Sequence, residues 1–432
     1  MFKISGWGNY PKINCKVEIP SNENEIQFHD NEKIIPRGLG RSYGDSSLQA
    51  NKTLITKNLN KIISFDEESG VICVQSGISS DELLKAIIPK GWFLPVSPGT
   101  KFVTVGGMVA SDVHGKNHHL EGSFGDHLIN LKIKISNTEV VYCSDDLNSD
   151  LFWATIGGMG LTGLILEIKF KLKKIQSYKI NQEVITTQNL EDVMNLFEKY
   201  KNSTYTVAWI DCLAKGNSFG RSVFFKGEHK KSKEKVKYDP KYILRIPVYF
   251  PSWILNYFSI KLFNSFYFYF NKFFNKKEVD GDSFFYPLDK ISEWNKIYGK
   301  NGFVQYQFIV PKKDSLKAIK EVLKKVTYSK EASFLSVLKL FKKGNKGLLS
   351  FPDEGYTLAM DFQANEKTFR LLKELDKIII KYSGRIYLSK DSRLSKESFS
   401  SMNYNSEELR NILDKYNIKN FHSQQSERLN IL

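Results

Sequence analysis

Residues 98–119 read Pro98-Gly-Thr-Lys-Phe-Val-Thr-Val-Gly-Gly-Met-Val-Ala-Ser-Asp-Val-His-Gly-Lys-Asn-His-His119, and other glycine-rich stretches flank them. Upstream stands Pro36-Arg-Gly-Leu-Gly-Arg-Ser-Tyr-Gly-Asp45. Downstream, after Gly122-Ser-Phe-Gly125, comes Phe152-Trp-Ala-Thr-Ile-Gly-Gly-Met-Gly-Leu-Thr-Gly163. Small residues let a backbone approach an anion closely, and successive N–H groups in such turns form an anion-binding nest. Arg37 and Arg41 add charge suited to phosphate. The first stretch is not a P-loop, because no Gly-Lys-Ser/Thr ends it. Nor is it a dinucleotide fingerprint, because no Gly-x-Gly-x-x-Gly follows a strand here.

Around these loops lie short β-branched runs, Thr53–Thr56, Val71–Gln75 and the alternating Leu131–Ile135, which predict strands. Asp81–Pro89 predicts a helix with Ser79 or Ser80 as its N-cap. Beyond residue 175 glycine thins. Leu190–Tyr200, Ser315–Thr327 and Lys367–Tyr382 carry helical periods, while Thr204–Asp211, Arg221–Phe225, Gly302–Pro311, Ser333–Leu340 and Tyr356–Phe362 read as strands. The pattern is α+β, and 432 residues suffice for about two or three domains.

Hydrophobic residues at 41% and charged residues at 25% are ordinary for a globular chain. Lys and Arg number 63 against 47 Asp and Glu, so the net charge of +16 invites anionic partners or reflects solvated lysines. Four cysteines without a Cys-x-x-Cys pair argue against a zinc site or disulfide framework, and fit a reducing compartment. The N-terminus lacks an apolar signal region, and no run of 18 apolar residues occurs, so neither signal peptide nor spanning helix is expected. Arg245–Phe274 holds thirteen aromatic residues flanked by lysines, with Lys261 near its middle. It reads either as an interfacial segment meeting anionic lipid or as loop and helix folded over the domain's own core. His114, His118 and His119 sit on a glycine-containing turn without the carboxylate of a His-Glu-x-x-His site, so no metal is expected.

Taken in order, RGxGRSYGD, PGT…TVGG, HGKNHH and FWATxGGxGLTG resemble the vanillyl-alcohol-oxidase-type (PCMH-type) FAD-binding family. WNKIYGKNGFVQYQFIVP, SFLSVLK and GRIYLSKDSR extend the likeness over nearly the whole chain, weakly between residues 225 and 280. More narrowly, the chain resembles oxidase subunits of decaprenylphosphoryl-ribose 2-epimerase systems. The resemblance implies a two-subdomain FAD-binding domain with an inserted substrate domain built on an antiparallel sheet. The boundaries would be 1–178 for the FAD-binding domain and 179–383 for the substrate domain, with a membrane-proximal aromatic and basic segment near 229–277. Residues 384–432 would return to the FAD domain.

By the same resemblance FAD is bound non-covalently. Arg37, Gly38, Gly40, Arg41, Ser42 and Tyr43 would meet its pyrophosphate and neighbouring flavin atoms, and Gly99, Thr100, Thr104, Gly106 and Gly107 would line it. Asp112, His114, Gly115, Asn117 and His118 would lie near the isoalloxazine or ribityl chain, and Gly158, Gly160, Thr162 and Gly163 would close the adenine side. Tyr387 and Lys390 would stand at both the flavin and the substrate, and Tyr43, Trp209, Gln305, Gln307 and Lys339 would bind the substrate. On a strand Tyr387 and Lys390 would point to opposite faces, so a bend is needed to bring both to the flavin. The expected catalytic residues are Lys390, Tyr387, Lys339 and His114, with the base open among Tyr387, Lys339 and Lys390.

The implied reaction is FAD-dependent oxidation of a secondary hydroxyl on a polyprenyl-phosphoryl pentose such as decaprenylphosphoryl-ribose. An NAD(P)H-dependent short-chain reductase would complete the epimerisation, in cell-envelope polysaccharide synthesis. The expected location is cytoplasmic or peripheral at the inner face of the cell membrane. The alternative is a soluble aldose or aldonolactone oxidase of the same fold. Nucleic-acid binding leaves the glycine segments unexplained and is not expected. Where mycobacterial members carry a cysteine this chain has Ala359, and Thr357 stands where an amide is expected.

Overall fold

A computed structural model describes residues 1–432 except 30, 235, 241–243, 275, 276 and 332. Most of the short N-terminal runs form a three-stranded and a five-stranded sheet. In the first, β1 (Val17–Glu18), β2 (Ile34–Arg37) and β3 (Lys52–Ile55) run parallel with β3 in the middle. The C-terminal residues extend it: Ile34 N–H donates to Asn420 O at 2.8 Å and His422 N–H to Ile34 O at 2.9 Å. In the second sheet, β4 (Ile62–Asp66), β5 (Val71–Gln75), β6 (Leu128–Lys134), β7 (Val140–Cys143) and β8 (Leu164–Lys171) are antiparallel in the order β7-β6-β8-β5-β4.

The helix α1 (Ser80–Ile87) follows β5 where the cap signal placed it. Ser79 and Glu82 form a reciprocal capping box, which satisfies two N-terminal N–H groups. A second helix, α2 (Val105–Ala110), was not expected in so glycine-rich a stretch. Thr104 Oγ1 caps it by accepting from Gly107 N–H at 3.2 Å. Gly106 N–H donates to Ser76 O at 2.8 Å, so close that a Cβ at Gly106 would strike Ser76. Close packing on the end of β5 therefore overrides the low helix propensity of glycine.

The rest of the chain builds a larger sheet from β9 (Lys179–Thr187), β10 (Tyr205–Ile210), β11 (Ser222–His229), β12 (Glu278–Asp280), β13 (Phe303–Pro311), β14 (Ser336–Phe341), β15 (Gly355–Gln363) and β16 (Arg385–Ile386). Its eight strands are antiparallel in the order β12-β9-β11-β10-β14-β15-β13-β16. This is the α+β architecture that the resemblance implies: an FAD-binding half and a cap built on an antiparallel sheet.

Among the described residues, the longer helices between the strands of this sheet are α3 (Leu190–Lys199), α4 (Tyr257–Phe273), α5 (Ser315–Ser329) and α6 (Glu366–Lys381). Helices α3, α5 and α6 press apolar stripes such as Ile319, Val322, Leu372 and Leu375 toward buried Tyr306, Phe308, Leu338 and Leu358 of the sheet. Each such side chain contributes roughly 1.5–3 kcal/mol by leaving water. The other sheet face stays partly open, and α4 lies at its edge. Phe268 of α4 packs against Trp209 and Val223, and its buried Asn264 donates to Asp211 Oδ1 at 2.8 Å.

The aromatic segment therefore does cover the domain's own core, but only with one side of α4. The expected segment near 229–277 includes residues 235, 241–243, 275 and 276, which lie outside the described residues. At the C-terminal return the strand ends at Ile386, and residues 387–390 turn, with Lys390 N–H donating to Tyr387 O at 2.9 Å. This supplies the bend that a strand reading of Tyr387–Lys390 lacked. No helix of the described residues is long and apolar enough to cross a membrane.

Candidate active site

The glycine-rich segments converge. A Cβ on Gly38 would strike the side chain of Thr104, and one on Gly157 the backbone of Ser350. Gly157 N–H donates to Val109 O at 3.0 Å, Met159 N–H to Ala110 O at 2.8 Å, and Tyr43 N–H to Ser389 O at 3.0 Å. Gly160 lies beside Ile35 and Pro36, and a Cβ on Gly99 would meet nothing within 4 Å. Several buried polar atoms here have no partner among the described residues, including Ser76 Oγ, His114 Nδ1, Asn117 Oδ1 and Ser392 Oγ. Each such orphan costs about 1–3 kcal/mol. Close-packed backbone, open space at Gly99 and unpartnered buried polar atoms together fit an elongated polar cofactor.

The cap sheet supplies the facing surface. Gln305 and Gln307 share one face of β13. Register puts Asp361 opposite Gln305 and Ala359 opposite Gln307 on β15. On β14, Val337 lies opposite Ala359 and Lys339 opposite Thr357, and Trp209 on β10 lies opposite Val337. Gln305, Ala359, Val337 and Lys339 keep partial exposure on the otherwise mostly buried strands β13, β14 and β15, as residues lining a cavity do. Gln305 Nε2 donates to Asp361 Oδ1 at 2.6 Å and to Tyr43 Oη at 3.3 Å. Gln307 Nε2 pairs with His114 Nε2 at 2.9 Å and donates to Thr357 Oγ1 at 3.2 Å.

Lys390 Nζ lies 4.0 Å from the centroid of the Tyr43 ring. Burial lowers its ammonium to about 7, with Asp361 opposing the shift and Lys339 adding to it. Burial likewise lowers Lys339 to about 8. Lys116 falls to about 7, by burial and then by the charge of Lys339. Asp361 rises to about 7, again by burial, against the Gln305 hydrogen bond, the Lys390 charge and the Tyr298 hydrogen bond. His114 is held well below its ordinary value by burial and by Lys339, His118 and Lys390, so its ring is neutral. None of these three lysines has a carboxylate within salt-bridge distance among the described residues, which leaves their charge available to an anion.

Other expected residues make contacts within the protein itself. Tyr387 Oη donates to Ser111 O at 2.7 Å, its ring stacks on Phe351 at 4.7 Å, and burial pushes its phenol far up. Asp112, at φ +39°, accepts from Ser123 Oγ at 2.8 Å, Gly125 N–H at 2.9 Å, Asn345 Nδ2 at 3.0 Å and the Ser350 hydroxyl. Thr162 Oγ1 meets Thr155 Oγ1 at 2.9 Å in the core, and Gly158 and Gly163 pack against neighbouring backbone. His118 lies against Phe341 at 4.1 Å, Asn117 Nδ2 donates to Pro95 O at 2.8 Å, and Gly115 abuts Ser97. The Arg37 guanidinium donates to Ser5 O at 2.7 Å beneath Gly40, and that of Arg41 stacks over Trp7 at 3.9 Å. Ser42 Oγ is 3.3 Å from Ser47 Oγ, and Thr100 Oγ1 accepts from Phe102 N–H at 3.2 Å. Trp209 Nε1 donates to Phe334 O at 2.9 Å, placing Trp209 at the end of the strip beside α4.

Three residues escaped the sequence reading. Asp361 is the one charge inside the apolar run Tyr356–Phe362, and that was its signal. Lys116 stands inside HGKNHH, and its ammonium donates to Phe284 O of the cap. Arg428 had no local signal. Its guanidinium grips Asp45 through Nε at 3.0 Å and Nη2 at 2.7 Å, and Asp391 at 2.8 Å, tying the tail to the first glycine loop and to the turn carrying Lys390. No group of three or more His, Cys, Asp or Glu among the described residues is placed to hold a metal ion.

Comparison with known proteins fits this geometry. A family model described as an FAD binding domain matches residues 26–144. The chain is 36% identical over 381 residues to decaprenylphosphoryl-beta-D-ribose oxidase of Mycolicibacterium smegmatis, covering 85% of this chain and 83% of that one. It is 27% identical over 195 residues to a putative D-arabinono-1,4-lactone oxidase of Neurospora crassa, 44% of this chain and 34% of the relative. It is 28% identical over 178 residues to D-lactate dehydrogenase of Anaerostipes hadrus, 40% of this chain and 36% of the relative.

Proposed function

We propose, from the premise that this chain belongs to the PCMH-type family of FAD-dependent oxidoreductases acting on CH–OH groups, that its substrate is a polyprenyl-phosphoryl pentose. The reaction turns a secondary hydroxyl into a ketone. The observation that carries the reading is the strip of Gln305, Gln307, Thr357 and Lys339, with Lys390 and Lys116 close enough to Lys339 to feel its charge. Amides and a hydroxyl suit sugar hydroxyls, and ammonium groups without carboxylate partners suit a phosphate. The likeness to decaprenylphosphoryl-beta-D-ribose oxidase over most of both chains supports the same substrate class.

The cofactor is held without a covalent bond. Gly38, Gly40, Arg41, Ser42 and Tyr43, with Gly99, Thr104, Gly106 and Gly107, would hold its pyrophosphate and ring, and Gly158 and Gly160 would hold its adenine end. His114, Gly115 and Asn117 would line the ring. When bound, FAD supplies the two-electron acceptor for the hydride leaving carbon. The hydroxyl proton passes to the Lys390–Asp361 pair, whose two groups are both poised near neutrality. Once protonated, Lys390 would supply positive charge beside bound FAD. Lys339 meets the phosphate or the reacting oxygen. Tyr387 and neutral His114 position rather than exchange protons. The keto sugar then passes to an NAD(P)H-dependent short-chain reductase that returns a hydride to the opposite face.

Incubation with a polyprenyl-phosphoryl pentose and an artificial electron acceptor tests this by mass spectrometry. A product lighter by one H2 is expected. Turnover of a free aldonolactone without turnover of the lipid-linked sugar would replace this reading with the soluble lactone oxidase. Acid precipitation tests the bond to the cofactor, and yellow colour must leave with the supernatant.

A further inference from the structure

Helix α4 turns Ile260, Asn264 and Phe268 inward. Its outer side carries Phe258, Leu262, Phe266, Tyr269, Phe270 and Phe273, which at ~100° per residue fall within one stripe about 120° wide. Phe258 is 79% exposed, Leu262 73%, Phe266 64% and Phe273 70%, and Trp253 just before the helix is 73% exposed. An apolar surface of this extent marks a partner.

Charge identifies the kind of partner. Lys261 and Lys272 border the stripe, and neither has an acidic partner among the described residues. From residue 229 to 277 the sequence has eleven Lys and Arg against two acidic residues, Glu234 and Asp239. A second copy of the chain would bring like charge against like. An anionic bilayer meets both features: aromatic rings settle at headgroup level and lysines reach the lipid phosphates.

The stripe is also continuous with the active site. Phe263, beside the stripe and 42% exposed, has its ring 5.7 Å from Phe334. Phe334 lies 5.5 Å from Tyr298, Tyr298 4.2 Å from Phe303, and Phe303 5.3 Å from Tyr43. Tyr43 is the ring under Lys390. We infer that the outer face of α4 seats on an anionic bilayer, and that the packed rings behind it hold the active site close to a lipid-linked substrate at that surface. The inference rests on the polyprenyl-phosphoryl reading of the substrate.

Flotation of the FAD-loaded protein with phosphatidylcholine vesicles, with and without phosphatidylglycerol, tests it. The wild type is expected to float with the anionic vesicles. A Phe258→Ser/Leu262→Ser/Phe266→Ser/Phe273→Ser variant should lose at least ~100-fold in partitioning, given the apolar area removed. It should keep its flavin spectrum and its rate on a short-chain, water-soluble substrate, and lose rate on long-chain substrate in vesicles. Lys261→Glu/Lys272→Glu should weaken binding to anionic vesicles only. Wild type left unbound, a variant that binds equally, or a stripe that instead governs dimerisation overturns the inference. Stripe-dependent flotation without flavin reduction by either lipid-linked sugar removes the substrate reading and leaves the docking face. Flavin reduction without flotation does the reverse.

Discussion

Gln307 and His114 meet at 2.9 Å across the joint between the cap sheet and the FAD-binding half. With the Gln307 amide donating, the neutral ring carries its proton on Nδ1, an atom with no partner among the described residues. Gln307→Leu removes the acceptor's partner and strands a second ring nitrogen, at a cost of about 1–3 kcal/mol. Flavin reduction in single-turnover experiments is expected to slow roughly 10- to 100-fold, with FAD content unchanged. An unaltered rate would show that the contact does not position His114.

The Lys390–Asp361 pair sets a pH dependence. Both groups are placed near 7, and only the unprotonated form accepts the substrate proton. The rate of flavin reduction should therefore rise with pH through about 7 and level above it. Asp361→Asn should displace this inflection, and Lys390→Ala should lower the rate by ~100- to 1,000-fold. A flat profile from pH 6 to 9 in the wild type would contradict the assignment.

Lys116, Lys339 and Lys390 also link ligand binding to protons. Their folded values, about 7, 8 and 7, lie below the ordinary lysine value. A depressed value lends stability above the unfolded pKa, and this is lost as pH falls through the folded one. The apoprotein should thus melt at lower temperature as pH drops from 9 to 6.5, while a phosphate in the pocket restores the charge of Lys116 and Lys339 and leaves Lys390 to accept the substrate proton. Calorimetric titration of phosphate-bearing substrate at pH 8, in buffers of different ionisation enthalpy, should register net proton uptake. Equal heats in both buffers would exclude it.

Arg428 joins three parts of the chain that are distant in sequence. Arg428→Ala leaves the carboxylates of Asp45 and Asp391 buried without their counter-ion, a loss of about 3–5 kcal/mol. Urea unfolding should show that destabilisation together with weaker FAD retention, because Asp45 closes the first glycine loop and Asp391 adjoins Lys390.

The glycine loops were legible because backbone proximity restricts residue choice. Gly38 against Thr104 and Gly106 against Ser76 leave no room for a Cβ. The shared face of Gln305 and Gln307 followed from period two alone. Asp361 was harder, since only the register of β13 against β15 sets it opposite Gln305. Arg428 and α2 depend on tertiary contacts with no local signature. For Arg245–Phe274, aromatic residues all around a helix do not say which side a sheet will cover. One side of α4 meets the sheet, as the core reading expected, and the proposed lipid contact takes the other.

The proposed substrate, a polyprenyl-phosphoryl pentose, is tested by anaerobic mixing of the FAD-loaded protein with that compound, followed in the visible spectrum. The flavin band should bleach with the lipid-linked sugar and stay unchanged with the free pentose or its lactone. A band that bleaches with free lactone and stays unchanged with the lipid-linked sugar would contradict it.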